Sequence, residues 1–196
     1  MHPLFHSVIE KISRLPGLGP RSARRILMYL IKHQHNLLYP FLQELERLSK
    51  SIRMCSVCHN VDISSPCEIC SNRRRFDHQL CIVSDINDLW AIEKTSIYSG
   101  KYHVLGGILS AVQGIGPEQL TTTSLMQRVK DSVVQEVIIA LPPTLDGQVT
   151  VGYLVDLLKD FDGTISTLAH GVPLGTELEY IDEGTLSLAF KQRKSA

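Results

Sequence analysis

The sequence has one tryptophan, only 6% aromatic residues and no formal net charge. Its apolar residues never run on for the ~20 positions that a membrane-spanning helix needs. Aromatics so few and scattered offer no platform on which successive nucleic-acid bases could stack. The opening MHPLFHSVIEKISR mixes acidic and basic residues into its apolar positions and has no small-residue cleavage site. No signal peptide is therefore expected. A reducing cytoplasm is the expected home, where disulfides are rare. There is no internal repeat and no low-complexity segment. What remains is ordinary globular composition, 43% hydrophobic and 20% charged, over 196 residues, enough for one domain or two small ones.

The zero net charge hides an asymmetry. Residues 1–75 hold twelve Lys/Arg against five Asp/Glu, whereas residues 76–196 hold eight against fifteen. A basic part joined to an acidic part suggests two tasks. The basic part is the candidate for a polyanion, since neutralising phosphates drives nucleic-acid affinity; a solvated basic surface is the plainer alternative.

Leu4, Phe5, Val8, Ile9, Ile12 and Leu15 recur at helical spacing, as do Ala23, Ile26, Leu27, Leu30 and Ile31 after an interruption at Pro16-Gly17-Leu18-Gly19-Pro20. A third helical stretch is expected over 37–52. Beyond Arg73-Arg74-Arg75 the texture changes: short apolar runs at 80–83 and 137–141 read as buried strands, 164–168 as a third strand, and 88–94, 124–134 and 150–161 as helices. Strands alternating with helices predict βαβ units around a parallel sheet covered on both faces. Cys81, inside a strand run, reads as a small buried hydrophobe.

The interruption, LPGLGPRSARR over 15–25, carries chemistry. Gly17 and Gly19 allow positive φ and a close approach of the backbone to a partner. Pro20 suits the first turn of a new helix, where its missing N–H is not needed. The free N–H groups of that turn, beside the positive end of the helix dipole, form a ready phosphate site. Arg21, Arg24 and Arg25, at i, i+3 and i+4, share one helix face just beyond it. These are the parts of a sequence-independent phosphate clamp, and the stretch resembles the helix–hairpin–helix motif, which contacts the DNA backbone without reading bases. The plainer alternative is a tight turn with its arginines in solvent.

Four of the five cysteines fall within sixteen positions, CSVCHNVDISSPCEIC. Cys55, Cys58, Cys67 and Cys70 form two Cys-x-x-Cys pairs whose spacing matches a tetrahedral all-cysteine zinc site. One Zn2+ per chain is expected, structural because four thiolates leave no open position. A redox role would need a thioredoxin-like context, which is absent. His59 could compete as a ligand, but four cysteines complete the shell, and it reads as a loop histidine.

A helical hairpin, a four-cysteine finger and a small α/β domain in this order, together with YHVLGGILSAVQGIGPEQL (102–120) and LAHGVPLGTELEYIDEGTLSLAF (168–190), resemble the RecR family of bacterial recombination mediators. The resemblance runs nearly end to end. It implies a DNA-binding region over 1–53, a zinc finger over 54–75, a Toprim domain over 79–174 and a C-terminal segment over 175–196 with oligomer contacts. It also implies a cytoplasmic, nucleoid-associated oligomeric clamp, a tetramer, on single- or double-stranded DNA. That clamp works with RecO and RecF partners to help load a recombinase on single-stranded DNA. Catalytic Toprim domains hold Mg2+ with a Glu at the end of the first strand and an Asp-x-Asp at the end of a later one. Here the first strand ends at Ser84, where RecR relatives typically carry Glu, and Asp85 follows; the later strand leads to Leu141-Pro142-Pro143-Thr144 with Asp146 nearby. Asp85 and Asp146 leave room for weak Mg2+ binding, but two-metal phosphoryl chemistry needs more ligands. A catalytically silent scaffold is expected, with a Toprim-type nuclease or primase-like enzyme as the rival and a protein-binding adaptor as a third alternative. His103 and His170 read as structural, and Glu177, Glu179, Asp182 and Glu183 as a solvated acidic stretch. Leu186, Leu188 and Phe190 alternate as in an edge strand that pairs across an interface.

Overall fold

The structure is a computed structural model describing every residue except Ser132, His170, Leu174, Gln192 and 194–196. His170 therefore lies outside the described residues. The chain divides into two compact units, Met1–Ile52 and Arg53–Ala196.

The first unit is helical: α1 (Pro3–Ser13), α2 (Pro20–Lys32), a single π turn (Gln34–Leu38) and α3 (Tyr39–Ser51). Proline occupies the first turn of all three α-helices, where its missing N–H is not needed. The His2 side chain caps α1 by accepting from the Leu4 N–H at 3.2 Å. Helices α1 and α2 pack through Ile9, Ala23 and Leu27, with Val8, Ile12 and Ile31 around them. The stretch expected to be one helix over 37–52 begins in the π turn, and α3 buries none of its residues.

The second unit opens with a two-stranded antiparallel ribbon, β1 (Arg53–Met54) with β2 (Val61–Asp62), and a one-turn helix α4 (Glu68–Ser71). A four-stranded sheet follows in the order β4-β3-β5-β6, built of β3 (Phe76–Val83), β4 (Gly100–Val104), β5 (Glu136–Ala140) and β6 (Thr164–Thr167). All neighbours run parallel. The connections are α5 (Ile86–Thr95), α6 (Thr122–Asp131) and α7 (Leu145–Leu157). The strand alternation sorts the core into two layers. Leu80, Ile82, Val137 and Ile139 meet Leu125 and Val129 of α6 and Leu154 of α7 on one face. Cys81, Val83, Tyr102 and Val104 meet Leu89 of α5 on the other. Cys81 is the buried hydrophobe expected of it, and burial pushes its thiol up to about 12.

Two expectations need correction. The segment Gly100–Val104, not anticipated as a strand, is β4, buried along its whole length although it contains Lys101 and His103. The run carrying Leu186, Leu188 and Phe190 is not a strand but part of helix α8 (Glu183–Lys191). Asp182 explains this, because its carboxylate accepts from the Thr185 N–H at 2.9 Å and from the Thr185 hydroxyl at 2.7 Å. An N-cap with Glu183 behind it starts a helix, and that local signal outweighs a period-two pattern of three residues.

Candidate nucleic-acid interface and metal centre

The turn between α1 and α2 is closed by the Leu18 N–H donating to the Leu15 carbonyl at 3.1 Å. Gly17 sits at φ +75°, where a side chain would be strained. A Cβ at Gly17 or Gly19 would meet nothing within 4 Å, so the backbone is bare on that side. Gly19 starts α2 without a side-chain cap, leaving the first-turn N–H groups without a side-chain acceptor. Ala23 turns inward and is fully buried, which leaves Arg21, Arg24 and Arg25 outward and exposed. None of the three has a carboxylate within ion-pair range among the described residues. Five predicted site residues thus lie on one turn and the helix start it leads into.

The cysteines converge as well. The four sulfurs lie within 4.8 Å of one another, with Cys58–Cys67 at 3.5 Å and Cys55–Cys70 at 3.9 Å. A tetrahedral shell with metal–sulfur bonds of ~2.3 Å requires sulfurs about 3.8 Å apart, so the cluster fits one metal ion bound by all four. His59, at φ +61°, makes the turn of the first knuckle, donating its N–H to the Cys55 carbonyl at 3.0 Å. The Sγ of Cys55 accepts the backbone N–H groups of Val57 at 3.4 Å and Cys67 at 3.3 Å, bonds that offset charge on a thiolate. The crowded thiols cannot titrate independently: the hydrogen bond from Cys58 holds Cys67 far below its usual value, and the same contact pushes Cys58 up. The His59 ring points away from the sulfurs, its Nε2 2.8 Å from the Ser124 hydroxyl, as suits a loop histidine.

The sheet holds the finger in place. The Val104 N–H donates to the Cys58 carbonyl at 2.8 Å, and Ile69 packs into the α5-side core. Arg75 clamps Glu93 with both nitrogens, Nη1 to Oε1 at 3.0 Å, and also donates to the Gly100 carbonyl at 3.1 Å. Sequence reasoning missed Arg75, Lys101 and Arg128, each of which donates to backbone carbonyls distant in sequence (Arg128 to that of Tyr102), contacts that no spacing rule reports.

At the carboxyl ends of adjacent β3 and β5, the crevice where open α/β sheets bind ligands, carboxylates are few. Ser84 is buried and its hydroxyl donates to Asp88. Asp85 caps α5, its Oδ1 accepting from the Asn87 N–H at 2.8 Å and the Asn87 side-chain amide at 2.9 Å, so one carboxylate oxygen serves the helix start. Asp146 stands half-buried in the first turn of α7. Among the described residues the four cysteines are the one cluster of three or more potential metal ligands. His103 is fully buried, with Nε2 2.9 Å from the Thr121 hydroxyl and 3.2 Å from its carbonyl, a structural placement.

Comparison with known proteins matches the same segments. The model described as RecR, helix-hairpin-helix, matches residues 5–50, the Toprim domain model 78–169, and the model described as RecR, C-terminal, 171–194. The recombination protein RecR of Rhodopseudomonas palustris (strain TIE-1) is 47% identical over 97% of this chain and 96% of its own. The chain belongs to the RecR family. Among its other relatives, RecR of Rhodospirillum rubrum is 46% identical over 95% of each chain, and RecR of Brucella ovis 46% identical over 97% of this chain and 95% of its own. Within this RecR-family chain the hairpin falls inside the helix-hairpin-helix match and the carboxylate-poor crevice inside the Toprim match.

Proposed function

We propose that this protein is a non-enzymatic DNA-binding mediator of recombinational repair, working in the cytoplasm at the nucleoid. The observation that carries the proposal is the row of exposed arginines, without a carboxylate partner among the described residues, at an uncapped helix start beside a bare glycine turn. Arg21, Arg24 and Arg25 hold phosphates of single- or double-stranded DNA, and the Gly17–Gly19 turn lets the backbone approach them. Cys55, Cys58, Cys67 and Cys70 hold one Zn2+, the ion suited to a closed tetrahedral thiolate shell, and its role is structural. Subunits assemble as a tetrameric ring through contacts that include segment 175–196. Its Toprim sheet presents surfaces to RecO and RecF, and the assembly helps a recombinase load onto single-stranded DNA coated by its binding protein.

The test follows recombinase assembly on coated single-stranded DNA in the presence of RecO and RecF. Adding this protein accelerates assembly; an unchanged rate refutes the mediator role. The Toprim match supports a second reading, a Mg2+-dependent nuclease or primase-like enzyme. Ser84 in place of a carboxylate and the engagement of Asp85 as a helix cap weigh against it. Cleavage or primer synthesis with Mg2+ or Mn2+ that disappears in Asp146→Ala would establish the enzyme instead.

A further inference from the structure

Lys101 is a lysine where burial should forbid one. It is 7% exposed, the second residue of the buried strand β4. A buried ammonium is tolerated only when its donors are satisfied, and each of the three is. Nζ donates to the carbonyls of Ile69 at 3.1 Å, Cys70 at 2.9 Å and Asn72 at 2.9 Å, and the exposed Asp77 carboxylate lies 3.7 Å away. These carbonyls lie at the C-terminal end of the one-turn helix α4, where the N–H groups of Ser71 and of the capping residue Asn72 already donate back to the carbonyls of Cys67 and Glu68. The carbonyls left over by so short a helix converge on one cation.

The gathered segment carries the second cysteine pair. Cys55, Cys58 and Cys67 are buried, whereas Cys70 is the partly exposed member of the four. Cys70 is thus the ligand most open to water and chelators, and its own carbonyl is held by Lys101. Four thiolates on a divalent ion also leave net negative charge, which a nearby buried cation offsets.

We propose that Lys101 is a positioning residue of the metal centre, its ammonium gathering three carbonyls so that Cys70 is held in the thiolate shell. This inference rests on the zinc reading above. Partners one step removed from a metal typically contribute about 10–100-fold in metal affinity.

The full-length protein loaded with Zn2+, and separately with Co2+ as a spectroscopic probe, is compared with Lys101→Met and Lys101→Arg. Competition with a chromogenic chelator is expected to show about 10–100-fold weaker metal retention in Lys101→Met. The tetrahedral ligand-field bands of the Co2+ form weaken and Cys70 becomes alkylated first, while far-UV circular dichroism is retained. Should Lys101→Met not fold, Lys101→Arg carries the test. It keeps the charge, but its planar fork cannot place three donors on three converging carbonyls, so retention falls to an intermediate value. Parental retention and unchanged Co2+ bands in a folded variant would overturn the proposal. A parent that takes up neither metal refutes the zinc reading, a result distinct from a parent and variant that bind equally well.

Discussion

Arg14, Arg47 and Lys50 of the helical unit each pair with a carboxylate three or four residues away, Glu10, Glu44 and Glu46. Among the described residues the hairpin arginines have no such partner, and an exposed guanidinium so placed beside free backbone N–H groups is suited to phosphate. Each of Arg21→Ala and Arg24→Ala is expected to weaken DNA binding alike for unrelated sequences. Each should also make the slope of log affinity against log salt shallower by about one unit. Titrations at several salt concentrations check this, and parental slopes would reduce the hairpin to a turn. His103 gives a second expectation at this scale. Burial, and next the Arg128 guanidinium, push its imidazole from 6.5 down to about 3, and its Nδ1 has no hydrogen-bond partner among the described residues. Below pH 6.5 the unfolded chain takes up a proton that the folded chain refuses. Stability is therefore unaffected by this group above pH 6.5 and is lost as pH falls toward 3, by roughly 1.4 kcal/mol per pH unit. His103→Leu removes that contribution, so chemical denaturation at pH 7 and pH 5 should show a shallower decline in the variant. Acid loss of metal acts on both proteins and cancels in the difference.

At the scale of elements, the finger is the piece whose folding is expected to depend on the metal ion its four cysteines can hold. Its strands are two residues each and α4 is one turn, too little regular structure to be stable alone. Cys67→Ser is expected to lower metal content from one ion per chain toward none and to lower thermal stability. No redox phenotype should follow. Elemental analysis with thermal melts of parent, variant and chelated parent checks this; full stability after chelation would refute it. The elements legible in the sequence are those whose residues signal locally. The hairpin turn rests on Gly17, Pro20 and the arginine spacing, and the finger on cysteine spacing. Strands β3 and β5 show as apolar runs, and β6 as a short β-branched stretch. Strand β4 is illegible because Lys101 and His103 are polar residues made tolerable by partners distant in sequence, the carbonyls of Ile69, Cys70 and Asn72 and the residue Thr121. The alternation of Leu186, Leu188 and Phe190 points away from helix α8, yet three residues of period two are a weaker signal than the Asp182 cap preceding them. Asp85 shows the same limit at the site: its residue type suggests a metal ligand, and only the start of α5 shows that it is a cap.

At the scale of the molecule, the helical unit is under-buried. Of residues 1–52 only Ile9, Ala23 and Leu27 are buried, a core too small to stabilise a unit of this size unaided. Phe41, Leu45 and Leu48 along α3, and Ile52 just past its end, are all exposed. With Leu38 they recur at alternating spacings of three and four, the pattern of a helix that packs along a partner. A few phosphate contacts from one hairpin give only weak nonspecific binding, on the order of 10⁻⁴ to 10⁻⁶ M. Repeating the hairpin around a closed symmetric oligomer raises the effective concentration of each further contact, and avidity adds ~10² or more. Assembly and DNA affinity should therefore rise and fall together. Leu45→Glu and Leu48→Glu lie on an exposed helix face and cost a lone subunit little, yet a charge in the seam of an assembled oligomer is desolvated without a partner. Light scattering over a concentration series is expected to show an oligomer for the parent and smaller species for these variants. DNA affinity should fall about 10²-fold while the log–log salt slope drops to that of a single hairpin. A parent that is strictly monomeric and still binds DNA tightly would remove the basis for the ring. Dissociated variants with parental affinity would show that each hairpin grips DNA alone.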